Sequence, residues 1–528
     1  MSVAPPIAAE VGVKSDNRVW RRLTAGTLAN LINQVITVGG QLAVVPIYLA
    51  FWGNQVYGEW LTLSAAVAYI SMLDLGMQTY VVNRMNQYYS RGERREFLCT
   101  MQSALLFTTI VSGVGLALLA PLAFTLPLRK WLQIEATGNG TTQIVAALML
   151  GQFLSFIPLG MMTGIYRSIG EYARGATLGN LQRFTQFALV ALVLSQGGGM
   201  IWLASSQLAV PFVFGLLFVV WDLRRRHPEI EINFRWASAR LALSFLAPSW
   251  LFLLIQLAAS LVIQGSTLLA GVALGAAAVP VFVTLRTLSN VIRQGVGALY
   301  HASWPELTSL EARGQYARLA QVHTLMAKGV IAVSLTAAVW LYYAGPNLVE
   351  VWTRGRITYD AALMQAFLAL VLSQAWWMTS SLVLISSNNH RGLALAQIAA
   401  GVTGLMLGYV WSGTWGATGI VYGLAVPDAL LCGLWVPVSA CRLIGQRVRD
   451  FAGEVVGRGV LPVALVVVSA WAADRVMPAG WGPARWLALA CLAGGVCAVS
   501  TIGVWLNAEE RRQALGLLRR RGGLAGAV

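Results

Sequence analysis

The chain has 528 residues, of which 57% are hydrophobic and only 11% charged, with 37 Lys and Arg against 21 Asp and Glu. An ordinary soluble domain carries about 25% charged residues, and no globular surface could hide so many helices that are apolar all round. Composition therefore excludes a soluble fold and predicts an all-α polytopic membrane protein.

The N-terminal stretch MSVAPPIAAEVGVKSDNRVW holds no apolar core of about 7–15 residues before a small-residue cleavage site, so a removable signal peptide is not expected. From there, apolar windows of about 20 residues, each able to cross a hydrocarbon core about 30 Å thick, predict fourteen transmembrane helices. They run approximately over 24–50, 57–82, 97–126, 143–166, 177–197, 200–221, 241–268, 273–298, 328–349, 362–387, 393–412, 416–438, 459–477 and 485–506. With the N-terminus inside, 28 of the 37 Lys and Arg fall in inner segments and six in outer loops. The positive-inside rule then puts both termini in the cytoplasm. The same inward excess accounts for the net charge of +16 through anionic lipids of the inner leaflet, without nucleic acid. Five cysteines and four histidines show no metal-ligand spacing, so neither a metal nor a cofactor is expected. His227, His301, His323 and His390 read as solvated residues in polar loops or at helix ends.

The chain resembles itself at an offset near 222 residues. YYSRGERREF (88–97) answers LEARGQYARL (310–319), LRKW (128–131) answers VEVW (349–352), LGQ (150–152) answers LSQ (372–374), and EYARG (171–175) answers NNHRG (388–392). An even number of spans per repeat predicts two parallel six-helix lobes related by an axis along the membrane normal. The expected organisation is a cytoplasmic segment 1–22, a first lobe 23–222, a linker 223–240, a second lobe 241–440, and two extra helices with a basic cytoplasmic tail over 441–528. Transporters built this way bind their substrate between the lobes and alternate access by rocking them.

Polar residues inside spans are expensive and so are functional candidates. In VFVTLRTLSNVIRQGVG (281–297), Arg286, Asn290 and Arg293 stand at i, i+4 and i+7 and share one helix face. The planar forks of the two arginines suit an anionic diphosphate; the alternative is reaching for the interface or pairing with a carboxylate. Asp428 follows Pro427 in the middle of a span and either neutralises an arginine or carries a coupling proton. Asp74, near the inner end of the second helix, is a second candidate for coupling or pairing, against the simpler reading that it faces cytoplasmic water. Gln152 and Gln374 occupy equivalent repeat positions, with Trp376 and Trp377 following the second, and the first helix offers Asn33 and Gln34. These side chains either contact sugars or bond and pack between helices. Arg183 is expected to stretch to the interface.

Several stretches resemble a known family. GNQVYGEW (53–60), YISMLDLG (69–76) and the Arg-Gly loop after it, then Pro305-Glu306, WTRG (352–355) and GATGIVYGLAVPD (416–428), are similar to O-antigen and exopolysaccharide flippases. These are Wzx-type members of the multidrug/oligosaccharidyl-lipid/polysaccharide (MOP) exporter superfamily. The resemblance implies a V-shaped, MATE-like transporter in the bacterial inner membrane. It would move a polyprenyl-diphosphate-linked glycan from the cytoplasmic to the periplasmic leaflet, coupled to protons or sodium, or acting within a polysaccharide synthesis complex. Drug exporters of the superfamily often carry a carboxylate in the first helix, where this chain has Asn30, Asn33, Gln34 and Gln41. The two extra C-terminal helices are shared with peptidoglycan-precursor flippases. Such a flippase and a multidrug antiporter are therefore the alternatives. A membrane polymerase or glycosyltransferase would need a larger water-facing catalytic region or a metal-binding acidic pair, so no enzyme is expected.

Overall fold

A computed structural model describes residues 11–387, 389–477, 483–508 and 510–511. Among these residues every regular element is helical and there is no strand. The first ten residues of the expected N-terminal segment and the basic tail beyond 511 lie outside the described residues.

The chain divides into two units, Met1–Leu257 and Ala258–Val528. The first holds α1 (Val11–Ala68), α2 (Met77–Ser90), α3 (Arg94–Thr125), α4 (Asn139–Ser168), α5 (Tyr172–Ser195) and α6 (Met200–Arg226). The division falls inside α7 (Leu246–Leu274). The second unit continues with α8 (Val279–Ala312), α9 (Tyr316–Thr353), α10 (Ala361–Ser386) and α11 (Arg391–Leu443). It ends with α12 (Val448–Val476) and α13 (Ala484–Trp505).

Helix α3 shows how an all-apolar sequence builds such a unit. Met101, Ala104, Leu105 and Thr108 are buried at i, i+3, i+4 and i+7 against α4, and Ser112 donates to the Leu154 carbonyl at 2.8 Å. On the opposite face Ile110, Val114 and Leu118, spaced by four, stay exposed, Leu118 at 68%. A helix apolar on both faces is stable only where the outer face meets lipid.

Among the described residues ten helical runs are long and apolar enough to cross a membrane. Two of them, Ile32–Ser90 with 59 residues and Arg391–Leu443 with 53, far exceed the length of one crossing. Each is interrupted at a glycine with positive φ, Gly53 at 66° and Gly416 at 57°, a conformation other residues rarely adopt. The two Arg-Gly loops of the repeat share one local structure. Gly92 and Gly314 have φ of 74° and 66°, and Glu93 and Gln315 each donate to the carbonyl five residues back at 3.0 Å. That is the Schellman closure of a helix C-terminus, for which glycine is the favoured residue.

The segment after α6 is docked rather than free. Gln102 of α3 donates to the Glu231 carbonyl at 2.8 Å and accepts from the Trp236 N–H at 2.7 Å, while the Ser238 N–H reaches the Ser103 hydroxyl at 2.9 Å. At the C-terminal end of α6, Asp222 is buried and accepts from Tyr166 at 2.6 Å and from both Nε and Nη2 of Arg174.

In the second unit α12 and α13 pack on each other and both pack on α9. Two expectations are corrected there. His323 is not a solvated loop residue: it is buried, bonded to Ser380 at 2.9 Å and Gln446 at 3.2 Å, and stacked on Phe451 with ring centroids 4.5 Å apart. Lys328, one of the 28 basic residues assigned to inner segments, is not a loop charge: its side chain is 0% exposed and contacts Glu454 and Glu510 at 2.9 Å. The cause is common to both. Helix α9 begins at Tyr316 rather than near 328, so polar residues that read as a loop form its first turns and are covered by the C-terminal helices.

Candidate functional site

Helix α8 carries Arg286, Asn290 and Arg293, all half-buried, with Arg286 and Arg293 about 10 Å apart along the axis at 1.5 Å per residue. Arg286 reaches across to α7, where a π-helical turn covers Leu261–Gly265. Its Nη1 donates to the Ile263 carbonyl at 2.6 Å and the Thr267 hydroxyl at 2.7 Å, and its guanidinium lies 5.7 Å from the centre of the Phe282 ring. A π turn loosens the regular ladder of carbonyl bonds, and Arg286 occupies one of the carbonyls there. Arg293 differs: its Nε is buried with no hydrogen-bond partner among the described residues. A buried guanidinium nitrogen without an acceptor is costly unless something supplies one.

Asp428 opens a second π-helical turn, Asp428–Cys432, directly after Pro427, whose missing N–H disturbs the preceding ladder. It is buried, and one carboxylate oxygen accepts from the Ser373 hydroxyl at 2.6 Å and the Trp377 indole at 3.1 Å. Trp376 donates instead to the Gly433 carbonyl at 2.7 Å. Gln374 lies half-buried beside Ser373 on α10. Asp428, Trp376 and Trp377 therefore form one group on α10 and α11, while Arg286 is held by α7. Among the described residues no ion pair joins Asp428 to an arginine.

In the first unit Gln152 lines a cavity of about 250 Å³ between α1, α4, α5 and α6, with Gln186, Gln207, Tyr48, Trp60 and Phe187 also on its wall. Gln207 donates to the Gln186 carbonyl at 3.0 Å, and Tyr48 stacks on Tyr57 with centroids 4.6 Å apart. Amide groups among flat aromatic rings are the polar-plus-apolar lining that ligand pockets present. Asn33 and Gln34 are half-buried on α1. Asp74 accepts from the Gln78 N–H at 3.2 Å in the first turn of α2. Arg183 does not stretch to the interface: its Nη1 donates to the Asn33 side chain and, at 2.7 Å, to the Thr37 hydroxyl.

The chain matches no family model and no curated protein. Solved structures do match. An inward-facing multidrug resistance MATE family transporter of the MOP superfamily aligns with a TM-score of 0.68 at 15% identity, over 78% of this chain and 95% of its own. The fold is MATE-like. A MOP superfamily transporter from Pyrococcus furiosus, described as having a binding pocket of reverse polarity that suggests a different function, aligns with a TM-score of 0.59 at 13% identity. It covers 81% of this chain and 96% of its own. The lipid II flippase MurJ, in an inward closed conformation, aligns with a TM-score of 0.63 at 11% identity, over 90% of this chain and 98% of its own. With this fold and ten apolar helical runs among the described residues, the chain is a multi-pass membrane protein.

Proposed function

We propose that the protein is a flippase that moves a polyprenyl-diphosphate-linked oligosaccharide, an O-antigen or exopolysaccharide repeat unit, across the inner membrane by alternating access. The observation that carries this reading is the polarity of α8. Arg286 and Arg293 share a face of α8, which the fourteen-span topology counts as a crossing, and the buried Nε of Arg293 lacks an acceptor among the described residues. A cation exporter would gain nothing from fixed arginines, whereas a diphosphate needs them to replace its lost water. Arg286, Asn290 and Arg293 are assigned to the diphosphate. Asp428, held only by neutral donors among the described residues, is assigned to ion coupling rather than to pairing with an arginine. A peptidoglycan-precursor flippase is the second reading, favoured by the 90% of this chain that the MurJ alignment covers.

The test is a clean deletion followed by mass spectrometry of the undecaprenyl-linked lipids. One glycan-lipid is expected to accumulate on the cytoplasmic side while its surface polymer disappears. Normal surface polymers of every kind, with no second flippase in the strain, would reject the reading.

The topology belongs to the same proposal. Fourteen crossings with both ends inside are supported by the breaks at Gly53 and Gly416, and by α5 and α8 as further helices of 24 and 34 residues. Reporter fusions after residues 90 and 232 are expected to report cytoplasm. A periplasmic signal at either would overturn the orientation.

A further inference from the structure

Arg183 lies on α5, which the proposed topology counts as a crossing, and the proposed function does not use it. It lies 11 residues from the start of the 24-residue helix α5, near its middle, where a charge is most expensive. Such a residue normally reaches for the interface or meets a carboxylate. It does neither among the described residues, since its hydrogen bonds there, both from Nη1, go to Asn33 and Thr37, two neutral groups on α1. Thr37 in turn donates to the Asn33 carbonyl at 2.7 Å, so the acceptors are themselves held in place. A guanidinium offers five N–H donors; those on Nε and Nη2 make no bond among the described residues, and the positive charge is uncompensated there.

The surroundings say what such a charge could take. Arg183, Gln186, Phe187 and Val190 stand at i, i+3, i+4 and i+7 on α5, and the last three line the cavity that also holds Gln152 and Trp60. On α1 the arginine's partners Asn33 and Thr37 continue by helical steps into Val44 and Tyr48 of the same wall. The Phe187 ring sits on Gly40, where an added Cβ would fall 2.0 Å from it, and marks the boundary between the two ends. From Arg183 to Phe187 is about 6 Å along the helix. An oriented cation therefore stands one helical turn beyond the Phe187 wall of a cavity of amides and aromatic rings, and a sugar joined to a phosphate has that order of groups.

We infer that Arg183, oriented by Asn33 and Thr37, is an anion-binding residue of the first unit that takes the phosphate next to a sugar seated in the Gln152 cavity. The identity of the carrier rests on the proposed function; the site itself is separate from α8.

The test uses the purified full-length chain and equilibrium binding of radiolabelled farnesyl diphosphate, with farnesol and phosphatidylglycerol as competitors. Arg183→Gln is expected to weaken farnesyl diphosphate binding by about tenfold or more, as loss of a charge-assisted contact does. Arg183→Lys should fall between, because the charge survives and the fork does not. Farnesol should not compete. If Arg183→Gln is not recovered as a folded monodisperse protein, Arg183→Lys decides, and an affinity within twofold of the unaltered chain rejects the inference. Binding unchanged in Arg183→Gln but lost in Arg293→Ala also rejects it, and leaves the proposed function standing. Displacement by phosphatidylglycerol as effective as by unlabelled farnesyl diphosphate would make Arg183 an ordinary lipid contact. No saturable binding to the unaltered chain would remove both readings together.

Discussion

Arg293→Ala is expected to lower transport of the lipid-linked glycan by about 10–100-fold while leaving the protein folded and at its normal abundance. A hydrogen bond to a charged group contributes about 1.5–3 kcal/mol, and each 1.4 kcal/mol is about tenfold in binding. Removing Arg293 also removes a buried nitrogen that has no acceptor among the described residues, so the fold loses little by the change. Arg286→Ala should behave differently. Its Nη1 bonds to Ile263 and Thr267 tie α8 to the π turn of α7, so its loss frees a carbonyl inside the membrane and lowers stability as well as transport. Arg286→Lys keeps the charge but cannot span those acceptors in the same way. The measurement is translocation of a fluorescent glycan-diphosphate-lipid in proteoliposomes, normalised to folded protein. Normal transport by Arg293→Ala at matched abundance would make the α8 arginines structural and defeat the proposed function.

What could be read from the sequence divides by range. The membrane, the all-helical architecture and the MATE-like fold follow from composition, apolar length and short motifs, because these are local or averaged properties. The break at Gly53 falls in the gap between the expected spans 24–50 and 57–82, and that at Gly416 on the first residue of the span 416–438, since a glycine with positive φ is a local signal. Side-chain partners are not local. Arg183 looked like an arginine free to stretch outward because its acceptors, Asn33 and Thr37, lie about 150 residues earlier in the chain. The spacing of Gln186, Phe187 and Val190 behind it was visible, but only the cavity gives that stripe a meaning. His323 and Lys328 misled for the opposite reason. Hydropathy marks where a helix becomes apolar, not where it begins, and α9 begins three turns earlier than its apolar part. The residues that cover those turns, Phe451, Glu454 and Glu510, belong to the extra C-terminal segment.

That covering leads to the second large effect. Lys328→Ala is expected to destabilise the second unit by about 3–5 kcal/mol, the loss found when one partner of a buried ion pair is removed. Lys328 is 0% exposed and donates to Glu454 at 2.9 Å and to both oxygens of Glu510 at 2.9 and 3.0 Å. Glu510 is itself fixed by a reciprocal pair with Asn507, each backbone N–H bonded to the other's side chain at 2.8 Å. Without the lysine, Glu510 loses its ion-pair partner among the described residues and keeps a buried charge, whereas Glu454 retains Arg458 at 3.0 Å. The cost should therefore fall mainly on Glu510. Lys328→Met combined with Glu510→Met should recover most of the loss, because replacing a buried pair by apolar groups of similar size is often neutral. Thermal unfolding of the full chain in detergent would read both variants. A melting temperature for Lys328→Ala within about one degree of the unaltered protein would mean that the cluster is solvated, and that α12 and α13 are held on α9 without it.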